Sequence, residues 1–400
     1  MIDPGSEPRL TPQRTARLDR LIQATRDAPP ANLADIIREE LHVDLATSYA
    51  GCRIPHPFGK GSGQLSCTVP QVAEDAASGV AFVVLKTVIA ESADGARSMA
   101  PWANPETRMK VERRRSRKGI DGWTVSWKGR GWSGSLDDYL LFFHDALTLA
   151  AAHDLLVVPS VKYHLPPVGE EPNEHEYRHT TAALNQVWRR HATRSLILEK
   201  DLSPTLAGDT LAGNRALVLH WLSNLTFWIH DAVSDACVGI KVMNAMFDDA
   251  FQVEMVRAVM ENQRPPDFIV VFNRLFDADR GIAYGGWDLS DRNLAVLERV
   301  GGGGLTRMPM SATGNICSGR VMMEYALRGC ENGQVHTFFQ LPRSQYIASG
   351  ASRTRCALYT LLLHPRDGLV AWLWTLNEIG VLEERDGVLH FRDVVGRGIR

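Results

Sequence analysis

About eight short runs of Val, Ile and Leu recur along the chain, each followed by a loop and a helical pattern, and this alternation restricts the fold most. The runs fall at 47–54, "VAFVVLK" at 80–86, "DLLVVPSVK" at 154–162 and "SLILEK" at 195–200. They continue with "CVGIKVM" at 237–243, "DFIVVFN" at 267–273, "RMPMSA" at 307–312 and "GQVHTFF" at 333–339. Continuous apolar strands separated by helices mean a parallel sheet buried on both faces. A succession of this length predicts an α/β protein with the (β/α)8 TIM-barrel architecture, whose site lies at the C-terminal ends of the strands. The barrel is expected over 46–400, after an N-terminal helical extension at 1–45 carrying "RTARLDRLIQA" and "LADIIREEL". Long loops follow the second strand (88–125), the third (163–178) and the sixth (274–292), on the face where barrels bind substrate.

Charge excludes some classes. The 400 residues carry a net charge of -2, which speaks against a nucleic-acid partner despite the basic run "RMKVERRRSRKG". The six cysteines form no C-x-x-C pair, so free thiols, a reducing cytoplasmic compartment and no metal site are expected. His175 and His179 in "HEYRH" stand one helical turn apart with no third ligand in view, the pattern of a surface helix. No run is long and apolar enough to span a bilayer, so no membrane partner is expected.

Polar residues stand where the apolar strands end. Lys86 and Thr87 close the second, and Lys200 closes the fourth, followed by Asp201, Ser203 and Pro204. Lys241 ends the fifth, Asn273 the sixth, Gly314 and Asn315 the seventh, and His336 and Thr337 the eighth. Lysine inside "VGIKVM" is either a snorkelling strand-end residue or the partner of an anion, because a buried ammonium is costly alone. "SATGNICSG" at 311–319 breaks a strand on glycine before a helix, as an ordinary turn or a phosphate cradle does.

These segments resemble, in order from about residue 47 to 375, the dihydroorotate dehydrogenase family of FMN-dependent barrels, which includes the FMN domain of dihydropyrimidine dehydrogenase. "IPHPFGKGSG" is similar to the family's N-P-x-G-x-A-S-G, "VVLKTV" to its T-K-S segment, and "NPETR" to its G-N-P-x-P-R. "LEKDLSPT" stands at E-L-N-x-S-C-P-N, "GIKVM" at V-K-L, and "VVFN" at the strand ending in Asn-Ser or Asn-Thr. "SATGNICSGRVMMEYALRGCENGQVHTF" resembles the final phosphate-binding segment. The resemblance implies that Gly314, Asn315, His336 and Thr337 hold the FMN phosphate, with the helix from near Ser318 adding its dipole. It places Gly61, Ser62, Gly63, Lys86, Thr87, Lys200, Lys241, Asn273, Gly285 and Gly286 around the flavin, with Lys241 at the N1–O2 edge. Asn315 replaces the family's second glycine, and Phe338 stands where the family prefers glycine.

By the same resemblance Ser203, just before Pro204, handles the proton with Asp201 as its neighbour, while Lys86, also counted with the catalytic residues, and Thr87 face the isoalloxazine or the substrate. The expected activity is an FMN-dependent oxidoreductase acting on a carbon–carbon bond next to a carbonyl of a small molecule. Most of the family's orotate-binding asparagines are replaced, leaving Asn273, and "SWKGRGW" offers Trp127, Lys128, Arg130 and Trp132 instead, so the substrate is not expected to be orotate. The alternatives are a true dihydroorotate or dihydropyrimidine dehydrogenase, a flavoprotein resembling tRNA dihydrouridine synthases, and a catalytically silent barrel. No electron donor or acceptor is encoded in cis, and the resemblance implies a homodimer.

Overall fold

The computed structural model describes residues 7–95, 109–115, 121–127, 131–167, 169–202, 214–244, 248–262, 264–277, 282–286, 289–302 and 308–398. Its centre is a strongly curled parallel sheet with helices packed outside it, so the protein is α/β. Among the described residues the sheet has ten strands. They are Phe58–Lys60, Phe82–Val84, Val88–Ile89, Leu156–Val158, Ser160–Lys162, Ile197–Asp201, Cys237–Lys241, Phe268–Val271, Met310–Thr313 and Cys330–Val335. From Ser160–Lys162 to Cys330–Val335 each strand lies beside the next one in the chain, as helical crossovers favour, whereas Phe82–Val84 pairs with Leu156–Val158 and Val88–Ile89 with Ser160–Lys162. The last strand also pairs with the first, Gly333 opposite Phe58 and Val335 opposite Lys60. Side chains on both faces are buried, including Phe82, Val83, Val84, Ile240, Ile269 and Val270, which explains why the strands read as continuous apolar runs.

Register sets the site. Asp201 lies opposite Lys241, and Val161 lies opposite Lys200, so the ends of three adjacent strands come level. Local signals hold the helices that run back along the sheet. Thr68 caps Val69–Ser78, and Ser135 with Asp138 forms a reciprocal capping box before Leu136–Ala150. The Ser318 hydroxyl accepts from the Val321 N–H at 3.2 Å and starts Gly319–Leu327 directly after the Gly314–Asn315 turn.

Three expectations change. Residues 47–54 are not a sheet strand: Ala50 and Gly51 take positive φ, 49° and 74°, so Thr47–Tyr49 and Cys52–Ile54 fold on one another as a hairpin, and Phe58–Lys60 enters the sheet instead. The loops after the second and sixth strands are not independent. Met109–Arg115, Asp121–Trp127, Ile282–Gly286 and Leu275–Asp277 join in one antiparallel four-stranded sheet. The third loop is shorter than expected, because the helix Glu174–Trp188 already begins inside it with His175 exposed.

The N-terminal helices Pro12–Thr25 and Leu33–Leu41 share the apolar core. Arg14 donates to Glu378 Oε1 at 2.6 Å and Asn377 Oδ1 at 2.7 Å, tying the first helix to Leu369–Glu378 near the C-terminus. Val43–Asp44 runs parallel to Leu389–His390 and makes a second tie. Among the described residues no helix is long and apolar enough to cross a membrane.

Candidate functional site

A cavity of about 360 Å³ opens at the C-terminal ends of the parallel strands. Gly61, Ser62 and Gly63 enter it from the turn after Phe58–Lys60, and Lys86 and Thr87 from the break between the next two strands. Asp201, Lys241 and Asn273 follow, then Gly314 and Asn315, then His336 and Thr337. Gly285 reaches it from the antiparallel sheet. The tertiary structure thus gathers these thirteen expected residues, drawn from positions 61 to 337, on one wall-to-floor surface.

The floor is built from buried charge. Lys241 Nζ donates to Glu199 Oε1 at 3.0 Å and Gln334 Oε1 at 2.6 Å. Gln334 Nε2 donates to Glu199 Oε2, and the Tyr49 hydroxyl reaches the same oxygen at 3.2 Å. Burial, then the Glu199 carboxylate, pushes the Tyr49 phenol well above its usual range, so it remains a donor. Such a closed set holds the ammonium in one place, since each buried polar group has a partner it would otherwise lack.

Beside it, Lys162 Nζ meets Asp201 Oδ2 at 3.2 Å, both side chains more than nine-tenths buried. Burial pushes the Lys162 ammonium down to about 7 against the attraction of Asp201, with Arg274 and Lys86 pressing the same way. Burial alone would raise the Asp201 carboxyl, but Lys162, Arg274, Lys241 and Lys200 reverse this and hold it at about 2. Burial also pushes the Lys86 ammonium down. Burial, then Lys86, Lys60 and Lys241, takes His336 down to about 3, so its imidazole is neutral at ordinary pH. Its ring fills the space above Gly63, where a Cβ would fall 2.7 Å from Nε2. The Thr87 hydroxyl joins Ser62 Oγ at 2.5 Å and Ser160 Oγ at 3.0 Å, bracing the first three strand ends.

The lowered Lys162 value has a measurable consequence. The folded protein sheds this proton near pH 7 while the unfolded chain keeps it to about pH 10, so between these values the unfolded state binds more protons and stability rises with pH. Lys162→Met is expected to remove about 2 kcal/mol of the wild-type gain between pH 7 and pH 9. Chemical denaturation of both proteins at the two pH values checks this; equal gains would mean that Lys162 stays charged in the fold.

At the turn after Met310–Thr313, Gly314 and Asn315 both take positive φ, 96° and 52°. Asn293 Nδ2 donates to the carbonyls of Phe272 (3.1 Å) and Thr313 (2.9 Å), and the Tyr325 hydroxyl donates to Gly314 O at 2.8 Å. Asn315 tolerates the left-handed conformation and donates from Nδ2 to Ser290 Oγ at 2.9 Å. Successive left-handed residues before a capped helix form a concave run of backbone suited to an anion. Phe338, at the start of the short helix Phe338–Gln340, also lines the cavity.

Two expected residues, Lys200 and Trp132, do not line the cavity. Lys200 is fully buried but leaves the cavity: its Nζ donates to Asp201 O at 3.0 Å and lies 5.9 Å from the Tyr163 ring centre. The reason is strand alternation, which sends Glu199 and Asp201 to one face and Lys200 to the other. Trp132 packs against Tyr139 and Phe142, stacking on the latter at 2°, and its indole N–H donates to Ser135 O, so it is a packing residue. Trp127 contributes backbone to the antiparallel sheet, opposite Met109 and Ala283. Gly286 is paired in the same sheet, opposite Thr124. Ser203, Lys128 and Arg130 lie outside the described residues.

Other lining residues were not expected. Lys162 ends "LLVVPSVK" as Lys86 and Lys241 end their runs, and the same signal would have found it. Arg113 and Trp123 reach the cavity mouth from the antiparallel sheet, the guanidinium 5.1 Å from the ring centre, and Trp123 Nε1 donates to Gln345 Oε1 at 3.3 Å. Nothing in their local sequence distinguishes them from Trp127 and Trp132. Compared with known proteins, the chain matches no family model and no curated protein.

Proposed function

We propose that the chain is an FMN-dependent oxidoreductase of the dihydroorotate dehydrogenase-like type, built on a closed (β/α)8 barrel. Closure is supported by the pairing of Cys330–Val335 with Phe58–Lys60, and by the break-flanking segments pairing in step. Phe82–Val84 pairs with Leu156–Val158 and Val88–Ile89 with Ser160–Lys162, as two interrupted strands would. The observation that carries the functional reading is the cavity's composition. Three buried lysines, Lys86, Lys162 and Lys241, line one chamber with the left-handed Gly314–Asn315 turn at a helix start. That arrangement suits a ligand with an anionic end and a polar ring.

FMN fits these donors. The backbone of Gly314, Asn315 and Thr337 would hold its phosphate, and Lys241, fixed by Glu199 and Gln334, would sit at the polar edge of the ring. When bound, FMN accepts or supplies a hydride next to a carbonyl carbon. The chain's own part is to orient the substrate and hold a proton; Ser203 is the proposed proton-bearing group, with Asp201 lining the chamber. Neutral His336 packs the wall and adds no charge of its own to the lysine field. The substrate is a small molecule other than orotate, since Asn273 is the one asparagine retained from the family's substrate-binding set.

The test is the visible absorption spectrum of purified protein, with mass identification of anything released on denaturation. Released FMN, or stoichiometric uptake of added FMN, is the expected result. A colourless protein that refuses FMN overturns the reading and leaves a catalytically silent barrel or one with another ligand.

A further inference from the structure

On the outer helices two histidines meet that stand 47 residues apart in the chain. His191 Nε2 and His144 Nδ1 are 2.8 Å from one another, with ring centres 4.7 Å apart and planes tilted by 56°. Both residues are half-buried, so solvent reaches the pair. The backbone that presents them is fixed by packing. His144 lies within Leu136–Ala150, and its chain neighbour Phe143 stacks 6.4 Å from Trp188, the last residue of Glu174–Trp188. The Trp188 indole N–H donates to Arg194 O at 2.8 Å, and the Trp188 carbonyl accepts from the His191 backbone N–H at 2.9 Å. The two imidazoles are therefore held together before any ligand arrives, which lowers the ordering cost of binding one. Burial, then His144 and Arg190, lowers the proton affinity of His191, so its ring is neutral at neutral pH.

We propose that His144 and His191 form a two-histidine site for a divalent transition cation of the zinc and nickel type, which ties the helix Leu136–Ala150 to the end of Glu174–Trp188. Neutral imidazole is a preferred ligand of these ions. At a metal–nitrogen distance of about 2.0–2.1 Å, two nitrogens at a tetrahedral or right angle stand about 2.9–3.4 Å apart. The observed pair thus has to open by only a few tenths of an ångström. As the pair stands, one ring donates its N–H to the bare nitrogen of the other. To bind metal, the donor ring carries its proton on the outer nitrogen instead, so both facing nitrogens offer lone pairs and no net proton is released. Among the described residues no group of three or more His, Cys, Asp or Glu is placed to hold a metal ion, so water completes the coordination. With two protein ligands and the charge of Arg190 nearby, the site is an open, exchanging one, unlike a closed four-ligand structural centre. Nothing at this pair depends on flavin.

The experiment is calorimetric titration of the full-length, untagged protein with Zn²⁺ and with Ni²⁺, using Mg²⁺ as the control and reading the thermal midpoint on the same samples. Zn²⁺ and Ni²⁺ are expected to bind in the micromolar range and to raise the midpoint, whereas Mg²⁺, which takes oxygen ligands, leaves it unchanged. His144→Ala and His191→Ala should each weaken that binding about tenfold or more. His191→Gln keeps a side chain able to hydrogen-bond His144 but offers no imidazole. It should keep the metal-free midpoint and still lose the metal, which decides the matter even if an alanine variant fails to fold. Affinity that survives His191→Gln overturns the proposal, because the ion then sits on other side chains such as the thiols. Absence of Zn²⁺ and Ni²⁺ binding at submillimolar concentration overturns it as well.

Discussion

Lys241→Met is expected to destabilise the protein by about 3–5 kcal/mol, the cost of removing one partner from a buried ion pair. Glu199 is fully buried and Lys241 is 3% exposed, so the carboxylate left behind has no water to replace the ammonium. Tyr49 and Gln334 still donate to it, but neither carries charge. The double variant Lys241→Met with Glu199→Gln removes both charges and is expected to recover most of the loss, which urea denaturation of the single and double variants will show. A single variant as stable as wild type would mean that the ion pair adds nothing to the stability of the fold. The double variant also separates stability from binding. Folded but without the cation, it should hold FMN about tenfold or more weakly, the loss expected for a charge-assisted contact.

Gly314→Val is the second large effect. At φ 96° a β-branched residue is strained, and a Cβ there falls 2.6 Å from Asn293 Nδ2 and 2.8 Å from the Phe272 carbonyl oxygen. Strain and overpacking each cost of order 1–3 kcal/mol, and the Asn293 amide that ties two carbonyls together must move. The expected outcome is a less stable protein that also loses its flavin, read as a lower denaturation midpoint and a colourless purified product. Asn315→Gly supplies the control. It relieves left-handed strain at φ 52° but loses the bond to Ser290, so its stability should change by less than about 1 kcal/mol and FMN should be retained. If Gly314→Val kept its flavin, the turn would not be the phosphate cradle.

Much of the sheet was legible because its strands are buried on both faces, which forces runs such as "VAFVVLK" and "DFIVVFN" into the sequence. The first strand was misplaced because "TSYAGCRI" is as apolar as a strand, and only the positive φ of Ala50 and Gly51 reveals the reversal. Strand-end lysines were legible by type but not by face. Lys200 and Asp201 are consecutive, and a one-residue change of parity decides which enters the cavity. Likewise "WTVSW" and "GRGW" contain three tryptophans with similar neighbours. Trp123 reaches the cavity mouth and Trp132 stacks on Phe142, a choice made by residues far along the chain.

Local sequence carries the elements and the kinds of group that end them: apolar parallel strands, capped helices, lysines at strand ends and a glycine break before a helix. These are local properties, set by backbone conformation and burial within a few residues. Which of those groups meet is settled by long-range packing. The pairing of Lys162 with Asp201, the closed set around Glu199, and the joining of two loops into one sheet all depend on register and on contacts between distant segments. The charge on a group such as Lys162 follows from the same source, since its proton affinity is set by how much water the surrounding strands exclude and by which charges they bring beside it.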